Sequence, residues 1–156
     1  MLADVPVDAV FASSLTRASD TAAPIAAAHG CPIHRRDDLR EVSYGCYQGL
    51  LKSGKPFSLR RDHKDVPVPD GESLTDVFTR VQHVVDEIVP HLAKGQTIAV
   101  VGHYWSNRMF AAALDGRTVD DALAAPYKPA NGSVYELIVR SASPQHVIAT
   151  RWVSSV

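Results

Sequence analysis

The chain has 156 residues, 46% of them apolar, with 16 basic against 17 acidic side chains and a formal charge of −1. That length suits one compact domain, spanning 1–156, with a core of its own. The balanced charge argues against a nucleic-acid surface or a polybasic membrane patch, and no apolar stretch reaches the length of a membrane span.

In chain order, Met1-Leu2-Ala3-Asp4-Val5-Pro6 lacks the basic and apolar regions of a signal peptide, so a cytoplasmic location is expected. Residues 8–13 form a short apolar run that predicts a buried strand. Ser14 to Arg17 then turn into a helix reaching about His29. It carries Ala18, Thr21, Ala22, Ile25 and Ala26 on one face and is stopped by Gly30. Pro32-Ile33-His34 suggests a second short strand. Residues 37–70 are irregular, broken by Gly45, Gly49, Gly54, Pro56, Pro67 and Pro69, and read as an excursion over one end of a sheet. Lys52, Lys55, Arg60, Arg61 and Lys64 make that excursion basic, most simply as a solvated face.

Ser73 and Asp76 form a capping box at the start of the clearest helix. Leu74, Val77, Phe78, Val81, Val84, Val85, Ile88, Val89 and Leu92 follow at helical spacing, and Gly95 ends the run. Residues 97–101 are β-rich and continuous, as in a central strand of a parallel sheet. Gly102 and His103 follow, then a helix over 106–114, a shorter helical piece over 119–123, and two alternating segments, 133–139 and 147–153. A hairpin turn at 141–144 would join the last two. This order predicts an α/β domain, a three-layer sandwich around a mostly parallel central sheet.

Ligands of open α/β sheets bind beyond the carboxyl ends of the strands. Two such ends carry suggestive residues: Ser13-Ser14-Leu15-Thr16-Arg17 and Gly102-His103. An arginine in the first turn of a helix can hold a phosphate, although capping of its own loop is the plainer use for Arg17 taken alone. The remaining histidines, 29, 34, 63, 83, 91 and 146, share no spacing. Asp62-His63 and Asp86-Glu87 read as surface. Cys31 and Cys46 read as two unpaired thiols, and neither a metal nor a cofactor is expected.

Four segments taken together resemble the histidine phosphatase (phosphoglycerate mutase-like) superfamily. Ser14-Leu15-Thr16-Arg17-Ala18, with Thr21-Ala22, is similar to its strand-to-helix segment. Leu39-Arg40-Glu41 with Gly45, Tyr47, Gln48 and Gly49 resembles a second motif, Tyr47 and Gln48 standing where Trp and Glu are usual. Gly71-Glu72-Ser73 with Arg80 resembles a third, and Val101-Gly102-His103 through Arg108 a fourth. Asn131-Gly132-Ser133 matches the stretch before a late strand. The resemblance covers about residues 8–139 and implies that Arg17 binds phosphate. It also implies that Glu41 is the general acid and that His103 is the second catalytic histidine, touching the phosphoryl group without attacking it. Ser14, Tyr104 and Trp105 are then candidate substrate-binding residues, and the substrate a phosphorylated or anionic small molecule.

The sequence departs from that family in two places. No Arg-His-Gly string, the family's nucleophile segment, occurs in the 156 residues; His34-Arg35-Arg36 is the nearest basic cluster. The expected domain is therefore a truncated one, missing the first strand and helix. Phosphoryl transfer through a phosphohistidine needs that nucleophile, so efficient phosphatase activity is not expected of this chain. Tyr104 stands where glycine or asparagine is usual, and with Trp105 it would reshape the pocket. A strand missing from inside the sheet leaves unpaired edges, which a homo-oligomer would cover. Three readings follow: an enzyme of phosphatase or mutase descent, either shortened or drawn from a longer natural chain; a non-catalytic binding module; and a repurposed acid–base catalyst using His103 and Glu41 on a substrate without phosphate.

Overall fold

The first strand, β1 (Ala9–Ser13), is buried along its whole length, which requires cover on both faces of its sheet. The computed structural model describes residues 5–50, 63–125, 132–139 and 147–155. The expected basic residues Lys52, Lys55, Arg60 and Arg61, the segment 1–4, Asn131, His146 and the turn at 141–144 lie outside them. β1 is flanked by β2 (Ile33–Arg36) and β3 (Ile98–Val101) in the order β2-β1-β3, all parallel. Strand alternation splits β1 between two cores. Ala9 and Phe11 face one, Val10 and Ala12 the other.

On the Val10 face lies α1 (Thr16–His29), which buries Ala18, Ala22 and Ala26. Residues four apart share a helix face, so this alanine stripe lets the helix backbone approach the sheet. Thr21 is not part of it: one residue away around the helix, it is exposed and donates its hydroxyl to the Arg17 carbonyl at 2.9 Å. Gly30 ends the helix in the left-handed conformation at φ 62°.

On the Phe11 face lie α2 (Leu74–Ala93), α3 (Tyr104–Leu114) and α4 (Val119–Ala124). The fold is therefore three-layered, helices on both faces of a parallel sheet. The capping box of α2 is formed. Asp76 N donates to Ser73 Oγ at 3.0 Å, and Ser73 N donates to Asp76 Oδ2 at 2.9 Å. The helix buries Leu74, Val77, Val81, Val84, Val85 and Ile88. Glu87 is not a free surface group. It takes Arg36 in a two-pronged ion pair, Nε to Oε2 at 2.7 Å and Nη2 to Oε1, which ties α2 to the end of β2.

The last two strands, β4 (Ser133–Val139) and β5 (Val147–Ser155), pair antiparallel as a separate two-stranded sheet rather than joining the central one. Among the described residues β3 has a hydrogen-bonded neighbour only in β1, and its apolar residues are half-buried. No helix among the described residues is long and apolar enough to cross a membrane.

Candidate active site

Because β1, β2 and β3 run parallel, their carboxyl ends meet at one edge. Ser13 pairs with Arg36, and Ala12 with Val101. Three segments leave this edge: Ser14 into α1, Asp37 into the loop that carries Glu41, and Gly102-His103 into α3.

α3 begins at Tyr104, two residues earlier than its apolar pattern suggests, with His103 as N-cap. The cause is local: Ser106 Oγ accepts the His103 N–H at 2.9 Å and closes the first turn. A Cβ on Gly102 would lie 2.3 Å from Asn107 Oδ1 and 3.0 Å from Ser106 Oγ, so only glycine leaves this turn undisturbed. The His103 ring then reaches across to β1, its Nε2 lying 2.9 Å from Ser13 Oγ. Half-burial pushes the imidazole down to about 4, helped by the positive charges of Arg17 and Arg80. At neutral pH the ring is uncharged.

Glu41 faces the same edge. Its Oε1 accepts the Trp105 N–H at 3.1 Å and its own neighbour's N–H, from Val42, at 3.0 Å. The carboxylate thus sits on the free N–H groups at the start of α3, where a negative charge is favoured. Burial nevertheless outweighs those hydrogen bonds, and the Glu41 carboxyl is held above the usual carboxylate range. The site therefore pairs an acid that keeps its proton unusually long with a base that resists taking one.

Arg17 lies in the first turn of α1 with an exposed side chain. Among the described residues its guanidinium makes no ion pair, and its charge bears on His103. Ser14 behaves otherwise. Its hydroxyl donates to Asp37 Oδ1 and its N–H to the Arg36 carbonyl at 3.3 Å, so it ties α1 to the β2 end. Tyr104 is exposed, and its ring meets Trp105 edge-on with centroids 5.0 Å apart. Arg108 braces the pair from behind. Buried against α4, it donates to Tyr104 Oη at 3.0 Å and to the Ala122 carbonyl at 2.6 Å.

Sequence reasoning missed Ser13, Glu72 and Arg80. Ser13 could have been found from period two: it shares the Phe11 face, toward α3, whereas Ser14 points away. Glu72 and Arg80 were visible within motifs, with nothing to say what they touch. Among the described residues no three His, Cys, Asp or Glu side chains are grouped to hold a metal. A surface cavity of about 390 Å³ lies elsewhere, lined by Lys64, Asp65, Thr75 and Thr118 among others, and includes none of these site residues.

A parallel sheet flanked by helices on both faces defines the three-layer α/β class of folds, and an imidazole, a carboxyl and a guanidinium stand at its carboxyl edge. The chain belongs to the histidine phosphatase superfamily (branch 1), whose family model matches residues 1–149. It is 37% identical over 124 residues to a 2,3-bisphosphoglycerate-dependent phosphoglycerate mutase of Methylobacterium sp. (strain 4-46), covering 72% of this chain and 60% of that one. A protein of the same description from Brucella anthropi is 32% identical over 146 residues, covering 86% and 71%. Among solved structures, a mycobacterial glucosyl-3-phosphoglycerate phosphatase in complex with VO3 matches with TM-score 0.73 and 25% identity, over 99% of this chain and 79% of that one. Bacillus stearothermophilus YhfR matches with TM-score 0.73 and 25% identity, over 94% and 77%. The chain thus spans between 60% and 71% of the length of these two curated relatives.

Proposed function

We propose that the chain binds a phosphate-type anion at the shared edge of β1 and β3. Arg17 supplies the charge, His103 touches the phosphoryl group, and Glu41 donates a proton to the leaving oxygen. The observation that carries this reading is the meeting of two acid–base groups at the start of α3, the His103 ring against Ser13 and the Glu41 carboxyl on the Trp105 N–H, with burial holding the carboxyl above its usual range and the ring down at about 4. An arriving dianion would offset the repulsion from Arg17 and Arg80, and His103 would take up a proton as it binds. The reaction of descent is phosphomonoester hydrolysis on a small phosphorylated substrate. Without an Arg-His-Gly string in these 156 residues, His103 and Glu41 can assist direct attack by water but cannot carry a phosphohistidine. The test is a crystal soaked in vanadate. The reading requires density between Arg17 and His103, and an empty edge at full soak would count against it.

A second reading keeps the same pair for acid–base chemistry on a substrate without phosphate, favoured by the Tyr104–Trp105 ring pair beside His103. Turnover that persists in Arg17→Met would select it. A binding module without turnover would bind vanadate and hydrolyse nothing. Among the described residues one side of β3 has no strand neighbour, which supports a homo-oligomer that covers it, and a clean monomer by light scattering at high concentration would remove that idea. Two free thiols, Cys31 and Cys46, fit a reducing compartment such as the cytoplasm.

A further inference from the structure

We infer that Arg80, acting through Glu72, is a positioning residue that fixes the Glu41 carboxyl beside His103. The inference deepens the anion-site reading and rests on it. Glu41 sits in a loop with two anchor points, Asp38 before it and Ser43 after it, and one pair of charged side chains holds both. Arg80 Nη1 donates to the Asp38 carbonyl at 2.5 Å. Its Nε and Nη2 donate to Glu72 Oε1 and Oε2 at 2.8 and 3.2 Å. Glu72 Oε2 in turn accepts the Ser43 N–H at 2.8 Å, while the Glu72 N–H donates to the Ser43 carbonyl at 3.0 Å. Arg80 is itself immobilised on α2, with a side chain only 15% exposed.

This clamp does more than hold the fold together. The Ser43 side of the loop is pinned without Arg80. Gly45 and Gly71 pack so closely that a Cβ on Gly45 would lie 2.0 Å from the Pro69 carbonyl oxygen, and Cys46 N donates to that same oxygen at 3.0 Å. What Arg80 adds is the Asp38 anchor and a positive charge near the reacting groups. That charge favours ionised Glu41 and disfavours protonated His103. Arg17 and Arg80 are the charged groups that bear on His103, from α1 and α2. A bidentate guanidinium with a third donor can span Glu72 and Asp38 together, which a lysine ammonium on its single stem does poorly.

The experiment uses the full chain carrying Arg80→Lys, Arg80→Met or Glu72→Gln. The His103 ring is followed by NMR through a pH titration and then through a titration with orthovanadate. Arg80→Met is expected to raise the His103 pKa, because a nearby positive charge is gone, and to weaken vanadate binding roughly tenfold. Arg80→Lys keeps the charge, so His103 titrates as in the unaltered chain, yet vanadate still binds less tightly because the Asp38 anchor is lost. Glu72→Gln leaves Arg80 uncompensated and moves the His103 pKa further down. Opposite shifts at 72 and 80 are a signature that general loosening of the fold does not produce. The inference is overturned if His103 titrates identically in all three, or if vanadate binds the Arg80→Met chain as tightly as the unaltered one. Should Arg80→Met fail to fold, the Lys and Gln variants decide by the same criteria. If the unaltered chain binds no vanadate, the anion reading fails, while the pH titrations still judge the clamp.

Discussion

Protonating His103 should cost this fold stability, and the size of the loss can be worked out. The ring titrates at about 4 in the folded chain against 6.5 when free. Between those values the unfolded chain binds the proton and the folded chain does not, so stability falls as the pH drops through that window and levels off below it. From the two pKa values, the loss between pH 7 and pH 5 is about 1.8 kcal/mol before screening. His103 is only half-buried, and solvent screening brings the expectation to about 1 kcal/mol. The assay is urea unfolding at pH 7 and pH 5, on the unaltered chain and on His103→Asn. Other titrating groups contribute equally to both chains, so the difference of differences isolates one ring. The unaltered chain should lose about 1 kcal/mol more than the variant. Equal losses, or a larger loss in the variant, would refute the claim that His103 is held neutral.

Glu41 has the opposite sign. Its raised carboxyl should make Glu41→Gln more stable than the unaltered chain at pH 7, with the gap narrowing as the pH falls and the carboxyl gains its proton; chemical unfolding at pH 7 and in mild acid checks this. Ser73→Ala removes the α2 capping box at a cost of about 1 kcal/mol, read as a melting temperature about 2–4 °C lower by calorimetry. Gly45→Ala drives a methyl into the Pro69 carbonyl at a φ of 48° and should cost at least about 2 kcal/mol; an unchanged urea midpoint would show that the loop yields freely. On p-nitrophenyl phosphate the 156-residue chain should fall well short of family turnover, and normal rates abolished in His103→Ala would contradict the mechanism proposed here.

How much of this could be read from the sequence depended on whether a residue's partner lay nearby in the chain. α1, α2 and the strands around them followed from periodicity, and the Ser73–Asp76 box from a spacing of three. The three-layer α/β plan followed from the order of those elements. Thr21 was placed on the buried face because five positions looked equivalent, whereas the packing uses Ala18, Ala22 and Ala26 with Ile25 beside them and leaves Thr21 exposed. The start of α3 was missed because Ser106 reaches back to His103 and Glu41 supplies the N-terminal acceptor from 64 residues away. Glu87 looked like surface because Arg36, its partner, is 51 positions distant. The separate pairing of β4 with β5 could not be read from two alternating segments alone, since alternation says which face is apolar and nothing about which neighbour a strand takes. At the site, His103, Glu41 and Arg17 were legible as motif residues. The Arg80–Glu72 pair that holds the loop on either side of Glu41 was not, because it is built from long-range contacts.

The most direct measurement is the ionisation of His103 with and without orthovanadate, followed by NMR on the ring in the unaltered chain and in Arg17→Met. The account predicts saturable binding that draws a proton onto the ring, so that its pKa climbs from about 4 toward neutrality, and predicts that both effects shrink when Arg17 is replaced. A His103 resonance indifferent to vanadate, or a response unaltered by loss of the guanidinium, would contradict an anion held between these residues.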